Sequence, residues 1–406
     1  MLSNEHYDEL LNSFPMTSFA FAYGSGAVEQ GGYQYDNSNN IKIDNSSMND
    51  QPMLDMIFVV DNAAEWHELN MQLNPSHYTT LLPLSASHID TIQNYGAGIW
   101  YNTMLPIAIG PYPDRLMKYG VISMDKLLDD LTSWRSLYAA GRLHKPVKIL
   151  KNNPLIETAL ETNRTAALAA SLLLQHKPQF DELDLYMGVA GLSYAGDPRM
   201  SVGGENPFKV RNLVIPVLKK YRTIYENAVD KICGKVDLKL ITDINDHHHQ
   251  VSDRISRFSI EQSSQMRANL LQYLPKTVVN MLGSQRLGHP PGNSNNNNFN
   301  HHHNNGIVGK DFKHQLLNLN RKTSNEAARF VRSELQVVLK TIVAGASSRQ
   351  SIKAVVTVGI NKCVKYIGMK MSKNINARFN QNKSSNTTSL TILNGIKRFI
   401  PRILRP

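Results

Sequence analysis

Apolar positions along this chain follow two periods, and the change of period marks its elements. The run from Phe19 to Tyr23 is apolar and stops at Gly24-Ser25-Gly26. A short apolar run bounded by glycine predicts a buried strand. Residues 53–61 predict a second strand and residues 115–122 a third. Helical spacing replaces this pattern at Ala63, Trp66, Leu69 and Leu73. Residues 5–12 predict a short amphipathic helix before Pro15. Ser123 is placed to cap a helix with Leu127, Leu128, Leu131, Trp134, Leu137 and Tyr138 on one stripe and Asp125, Asp129 and Asp130 outside it. Residues 141–147 end that helix and lead into an extended piece.

The second half reads as mainly helical. Residues 154–174 are rich in alanine and leucine. Residues 181–188 predict a helix, residues 210–227 a helix broken at Pro216, and residues 327–342 an amphipathic helix with Val331, Leu335, Val338, Leu339 and Ile342 on one face. Residues 191–200 hold too much glycine for a helix interior. Residues 291–305, with runs of asparagine and histidine, cannot bury enough apolar surface to fold and predict a disordered insert. The organisation expected is therefore an α/β (α+β) domain over residues 1–150 and a helical domain over 151–287. An Asn/His-rich insert (288–310) and a helical, basic C-terminal region (311–406) follow.

Charge sharpens this division. The net charge of +11 over 406 residues is not spread evenly. Residues 335–406 hold 13 Lys and Arg and no acid, which leaves 31 basic against 33 acidic residues before them. A near-neutral body with a basic tail suggests tethering to an anionic surface. In residues 389–405, Ile392, Ile396, Phe399, Ile400, Ile403 and Leu404 alternate with Lys397, Arg398, Arg402 and Arg405. That is an amphipathic membrane-contacting pattern, bent at Pro401. Residues 91–113 are uncharged over most of their length, but glycines and prolines make them a polar, loop-rich segment and not a membrane span. The acidic first nine residues resemble neither a transit nor a signal peptide, and by themselves point to the cytosol. Two cysteines, Cys233 and Cys363, give neither a disulfide framework nor metal spacing. The histidine triplets 247–249 and 301–303 sit in polar, biased surroundings and do not suggest zinc.

The chemistry points to the first strand. A Gly-Ser-Gly turn after a buried strand offers backbone N–H groups, and Ser25 a hydroxyl, to a phosphate. Nucleotidyltransferases of the polymerase-beta type hold a triphosphate in this way and need a carboxylate on the next strand for Mg²⁺. Asp55 is that carboxylate. The usual second acid two residues on is here Ile57. Asp61 lies about 20 Å further along the strand, so Asp197, on a Gly-Asp-Pro turn, is the better second metal ligand. His67, His77 and Trp66 are explained as well by core and capping roles as by catalysis.

Several motifs, in this order, resemble one family. They are Phe21–Gly26, Leu54–Phe58, Trp66–Asn70 with Asn74–Tyr78, Tyr95–Gly98, Lys118–Ile122, Ala140–Val147, Ala190–Asp197 and Ser347–Ser351 with Lys353. Together they resemble the mitochondrial phosphatidate cytidylyltransferase (CDP-diacylglycerol synthase) family. The resemblance implies transfer of CMP from CTP to phosphatidate with Mg²⁺, for cardiolipin-type phospholipid synthesis. It implies a nucleotidyltransferase domain beside a winged-helix-like domain, and a peripheral protein on the matrix face of the mitochondrial inner membrane, with no nucleic acid as partner. It places Gly24, Ser25 and Gly26 on phosphates and Asp55 on the metal, with Asp197 in an active-site motif. Arg142 and Lys145 are inferred as triphosphate contacts. The residues alone leave open the same fold with an RNA or protein acceptor, and a non-catalytic assembly factor.

Overall fold

The structure, a computed structural model, describes residues 2–30, 52–78, 84–109, 112–198, 209–241, 255–284 and 324–358. The polar segment 29–48 lies mostly outside these residues. Both histidine triplets, the Asn/His-rich insert and the amphipathic tail lie wholly outside them.

A five-stranded mixed sheet organises the first half. Its strands are β1 (Phe19–Tyr23), β2 (Leu54–Val60), β3 (Ile99–Ile109), β4 (Tyr112–Ser123) and β5 (Lys148–Lys151), in the order β3-β4-β2-β1-β5. β2 and β4 run parallel, and the other pairs are antiparallel. β1 and β2 are apolar on both faces: every residue of β1 except Tyr23, and of β2 except Asp55, is buried. Helices supply the cover. They are α1 (Asn4–Asn12), α2 (Ala63–Leu73), α3 (Ala86–Asn94), α4 (Met124–Ser133) and the one-turn α5 (Ala140–Leu143).

Three details differ from the sequence expectations. Within the segment expected as a loop, residues 91–94 end α3 and residues 99–109 form the long strand β3. Pro106 is tolerated because β3 is an edge strand, whose outward N–H groups need no partner. Its register shifts between Asn102 and Leu105, where Met104 takes a φ of +59°. α4 stops at Ser133, since Trp134 turns left-handed with φ +52°, so Leu137 and Tyr138 belong to the following loop. Asp130, expected on the outer face, is 4% exposed because that loop wraps around its carboxylate.

The second half is built on α6 (Pro154–Leu174), buried along most of its length by packing against α4, α7 (Glu182–Gly191) and later helices. α8 (Lys209–Val214) and α9 (Leu218–Cys233) are separated by a 3-10 turn at Pro216, as the proline requires. Strands β6 (Gln179–Asp181), β7 (Leu238–Ile241) and β8 (Arg257–Ile260) form a small antiparallel sheet in the order β6-β8-β7. The buried Glu182 carboxylate fastens this region. It takes a bidentate pair from Arg222 at 2.5 and 2.8 Å, and the Ser256 N–H at 2.8 Å. Helices α10 (Ser264–Leu271) and α11 (Lys276–Ser284) precede the long α12 (Ser324–Val358). α12 buries Val331, Leu335, Val338 and Leu339, the face predicted for it, and runs on to reach the edge of the large sheet. There Gln350 donates to the Ile99 carbonyl, and the buried Lys353 ammonium donates to the carbonyls of Gln93 and Tyr95 at 2.9 and 2.8 Å. Among the described residues no helix is long and apolar enough to cross a membrane.

Candidate active site

β1 delivers its chain into the Gly24-Ser25-Gly26 turn beside the start of β2. Gly24 has a φ of +74°, and a Cβ there would sit 3.2 Å from Asp55 Oδ2. A side chain is therefore excluded twice, by backbone conformation and by the carboxylate. At Gly26 a Cβ would come within 2.4 Å of the Met53 carbonyl oxygen. Buried Arg115 fixes this turn from below, donating to the Gly26 carbonyl at 2.7 Å and to the Pro52 carbonyl at 3.3 Å.

Sheet register brings the next groups in. Asp55 is paired with Tyr23 on β1 and with Lys118 on β4. The Lys118 ammonium stands 4.0 Å from Asp55 Oδ1 and 4.3 Å from the centre of the Tyr101 ring. The Asp55 side chain remains 26% exposed. That separates it from the buried Asp130 and leaves its oxygens accessible to a ligand.

A cationic wall of Arg142 and Lys145 begins beside Tyr23. The Arg142 guanidinium lies 4.0 Å from the Tyr138 ring centre and 5.3 Å from that of Tyr23, the residue before Gly24. It donates to the Tyr138 carbonyl at 2.5 Å. Three residues on, Lys145 donates to the Gly141 carbonyl and, at 2.7 Å, to Ser193 Oγ. Burial, with the positive charges of Arg142 and Lys209 nearby, pulls the Lys145 ammonium down to about 7. Among the described residues, neither Arg142 nor Lys145 has a carboxylate as hydrogen-bond partner. Gly141 permits this approach, since a Cβ there would stand 2.3 Å from that of Ser193. The two motifs around residues 141 and 193 thus form one surface. Asp197 follows in the turn after Tyr194; it is 1% exposed, and Gly196 beside it touches the backbone of Lys340 on α12.

The structure therefore brings Gly24, Ser25, Gly26 and Asp55 together, sets Arg142 against Tyr23, and joins Lys145 to Ser193. It seats Asp197 in the turn that abuts α12. Sequence reasoning missed Lys118, Arg115, Tyr138 and Ser193 as parts of this arrangement. Lys118 lay within a quoted motif, but only the parallel register of β2 and β4 reveals that it neighbours Asp55. Among the described residues no group of three or more His, Cys, Asp or Glu side chains gathers as a metal cage.

The histidine motif proves architectural. His67 is fully buried, with Nδ1 on Tyr78 Oη and Nε2 on Gln93 Oε1, both at 2.8 Å. Asn70 and Asn102 both donate to Tyr119 Oη, at 2.8 and 2.7 Å, and His77 reaches it at 3.1 Å. Trp66 donates to the Pro15 carbonyl. Burial lowers His67 to about 4, so the ring is neutral at physiological pH.

The model of a family described as phosphatidate cytidylyltransferase, mitochondrial, matches residues 7–373. The chain belongs to this family. Relatives of that description include the protein of Xenopus laevis, 34% identical over 371 residues, covering 90% of this chain and 94% of that one. The human protein is 33% identical over 373 residues, covering 89% of this chain and 69% of its own length. That of Dictyostelium discoideum is 30% identical over 400 residues, covering 92% and 85%. The matched span of this cytidylyltransferase family member takes in the glycine turn, Asp55, the cationic wall and α12.

Proposed function

We propose that this protein transfers CMP from CTP to phosphatidate, releasing pyrophosphate and forming CDP-diacylglycerol. One observation carries the reading. A glycine turn and an open carboxylate meet at one end of a sheet, and Arg142, with no carboxylate as hydrogen-bond partner among the described residues, lies against the ring of Tyr23 just before that turn, in a chain of this family. The fold proposed for residues 1–150 is the polymerase-beta nucleotidyltransferase type, and a winged-helix-like unit is proposed for the region around β6, β7 and β8.

Phosphoryl chemistry of this kind needs little covalent help and much electrostatic preorganisation. A phosphate oxygen of phosphatidate bonds to the α-phosphorus of CTP, and the bond to the bridging oxygen breaks. The negative charge moves onto the departing pyrophosphate. N–H groups of residues 24–26 and the Ser25 hydroxyl are proposed to hold the triphosphate. Arg142 and Lys145 are proposed to offset the charge of the leaving group. The donor set suits Mg²⁺, because Asp55 offers a hard carboxylate oxygen beside the proposed phosphate turn. When bound there, Mg²⁺ would offset the negative charge of the triphosphate. Asp197 is proposed as the second acid of the site, a role its deep burial makes secondary to that of Asp55.

Peripheral contact with the matrix face of the inner membrane is proposed through the basic tail, whose four cations within residues 389–405 would contribute about 1 kcal/mol each near anionic lipid. Phosphatidate-dependent pyrophosphate release from CTP and Mg²⁺, with CDP-diacylglycerol recovered from the vesicles, tests the reading. Release that needs no lipid would replace phosphatidate by another acceptor. No release from folded protein with any nucleoside triphosphate would leave a non-catalytic role.

A further inference from the structure

Asp130 sits in the last turn of α4, and its carboxylate accepts six hydrogen bonds. Oδ1 accepts from the Ser136 N–H at 2.9 Å, the Ser136 hydroxyl at 2.8 Å and the Leu137 N–H at 2.9 Å. Oδ2 accepts from the N–H groups of Tyr138, Ala139 and Ala140 at 3.1, 2.9 and 3.0 Å. Five successive backbone donors thus converge on one carboxylate, which is 4% exposed. One carboxylate satisfies all of these donors, and it dictates the path of the chain that carries them.

That path is not one the chain would choose alone. Trp134 and Leu137 both adopt φ +52°, a left-handed conformation that costs a non-glycine residue free energy. Both are buried. The disfavoured backbone has a specific product. It turns Tyr138 so that its ring lies 4.0 Å from the Arg142 guanidinium and its carbonyl accepts from the same group at 2.5 Å. It also starts the single turn α5, on which Arg142 is mounted and whose Gly141 carbonyl takes the Lys145 ammonium. Among the described residues Asp130 bonds to neither cation; it sets the backbone from which Arg142 projects.

We propose that Asp130 is a positioning residue for the transfer reaction, acting through Tyr138 to place the Arg142 guanidinium against Tyr23, the residue before the glycine turn. The inference rests on the role given to Arg142 above. It goes beyond that role by naming the group that determines where Arg142 stands.

A double-mutant cycle with CTP as the varied substrate tests it. Asp130→Asn turns one acceptor oxygen into a donor facing N–H groups. It should raise KM for CTP about tenfold, as expected when a charged group is displaced by a fraction of an ångström, and lower kcat less. In an Arg142→Ala background the same change should leave KM for CTP unaltered. Should Asp130→Asn not fold, Ser136→Ala removes one of the six donors, and its smaller rise in KM should likewise vanish in the Arg142→Ala background. Equal factors in both backgrounds, or a loss of thermal stability with KM unchanged, would overturn the proposal while leaving the role of Arg142 intact. An Arg142→Ala enzyme with wild-type KM for CTP would overturn that role, and the positioning role of Asp130 with it.

Discussion

Two polar constellations share the first half of the molecule, and they are built on opposite terms. Around His67, Asn70, Tyr78, Asn102 and Tyr119, side chains satisfy one another inside the core. Around Gly24 and Asp55 a carboxylate stays accessible, while Arg142 beside Tyr23 and Lys145 beyond it find, among the described residues, rings, carbonyls and a hydroxyl in place of acids. Buried polar groups that are fully paired rigidify a fold. Groups whose natural counter-charge is missing are poised for a ligand. The comparison teaches that a motif rich in histidine and aromatic residues can be architecture, while the motif proposed to carry the chemistry is a sparse one of glycine and a single aspartate.

The sharpest way to break this contrast is Asp55→Asn. Pyrophosphate release should fall about a thousandfold, a magnitude typical of losing a principal electrostatic group. The unfolding temperature should stay unchanged, because Asp55 is partly exposed and its ion pair with Lys118 is long. A fall in stability with activity kept would reverse the assignment.

His67→Ala should do the opposite. It leaves Tyr78 and Gln93 with unmatched partners and opens a cavity, at a cost of about 2–4 kcal/mol. Turnover per folded molecule should remain within about twofold of wild type. Chemical denaturation alongside single-turnover kinetics separates the two effects.

Acid should weaken the fold through two buried histidines, His67 in this network and His144, which precedes Lys145 in the chain and bonds Asn163. His67 and His144 are held neutral, at about 4 and about 3, by burial. The unfolded chain binds a proton at each near its ordinary value, about 6.5. Below that pH the unfolded state binds more protons than the folded one, so stability decreases as pH falls. The slope is about 1.4 kcal/mol per pH unit for each histidine, and the His67 contribution persists down to about pH 4. Above about 6.5 neither contributes. Denaturation curves from pH 7.5 to 4.5 should show this slope, and His67→Phe should reduce it by one histidine's share.

Lys353→Met is the mildest change. It leaves the carbonyls of Gln93 and Tyr95 without their donor but removes a buried ammonium that burial pulls down to about 7. A net destabilisation of about 1 kcal/mol is expected, read as a small shift in the denaturation midpoint. Activity in the absence of membranes should be preserved.

Much of this contrast was legible in the sequence. β1, β2 and β4, the glycine turn and Asp55 follow from local pattern, because buried strands and φ-positive turns leave short-range signals. α6 and the Pro216 break follow from composition. What was not legible depends on register and on long-range closure. Lys118 meets Asp55 only because β4 pairs with β2 in parallel. Lys145 meets Ser193 across 48 residues of chain. Asp130 looked like one more acid on an outer helix face, since nothing local announces that Trp134 will end α4 and fold the loop back upon it. Residues 91–113 misled because glycine and proline mark loops in general, and only an edge strand with shifted register absorbs them.

The most direct test of the account is calorimetric titration of CTP, with and without Mg²⁺, into wild type, Asp55→Asn and His67→Phe. The account predicts that Mg²⁺ strengthens CTP binding to wild type and to folded His67→Phe, and that Asp55→Asn loses this enhancement while keeping its melting temperature. Retention of the Mg²⁺ effect by Asp55→Asn, or its loss from folded His67→Phe, would contradict it.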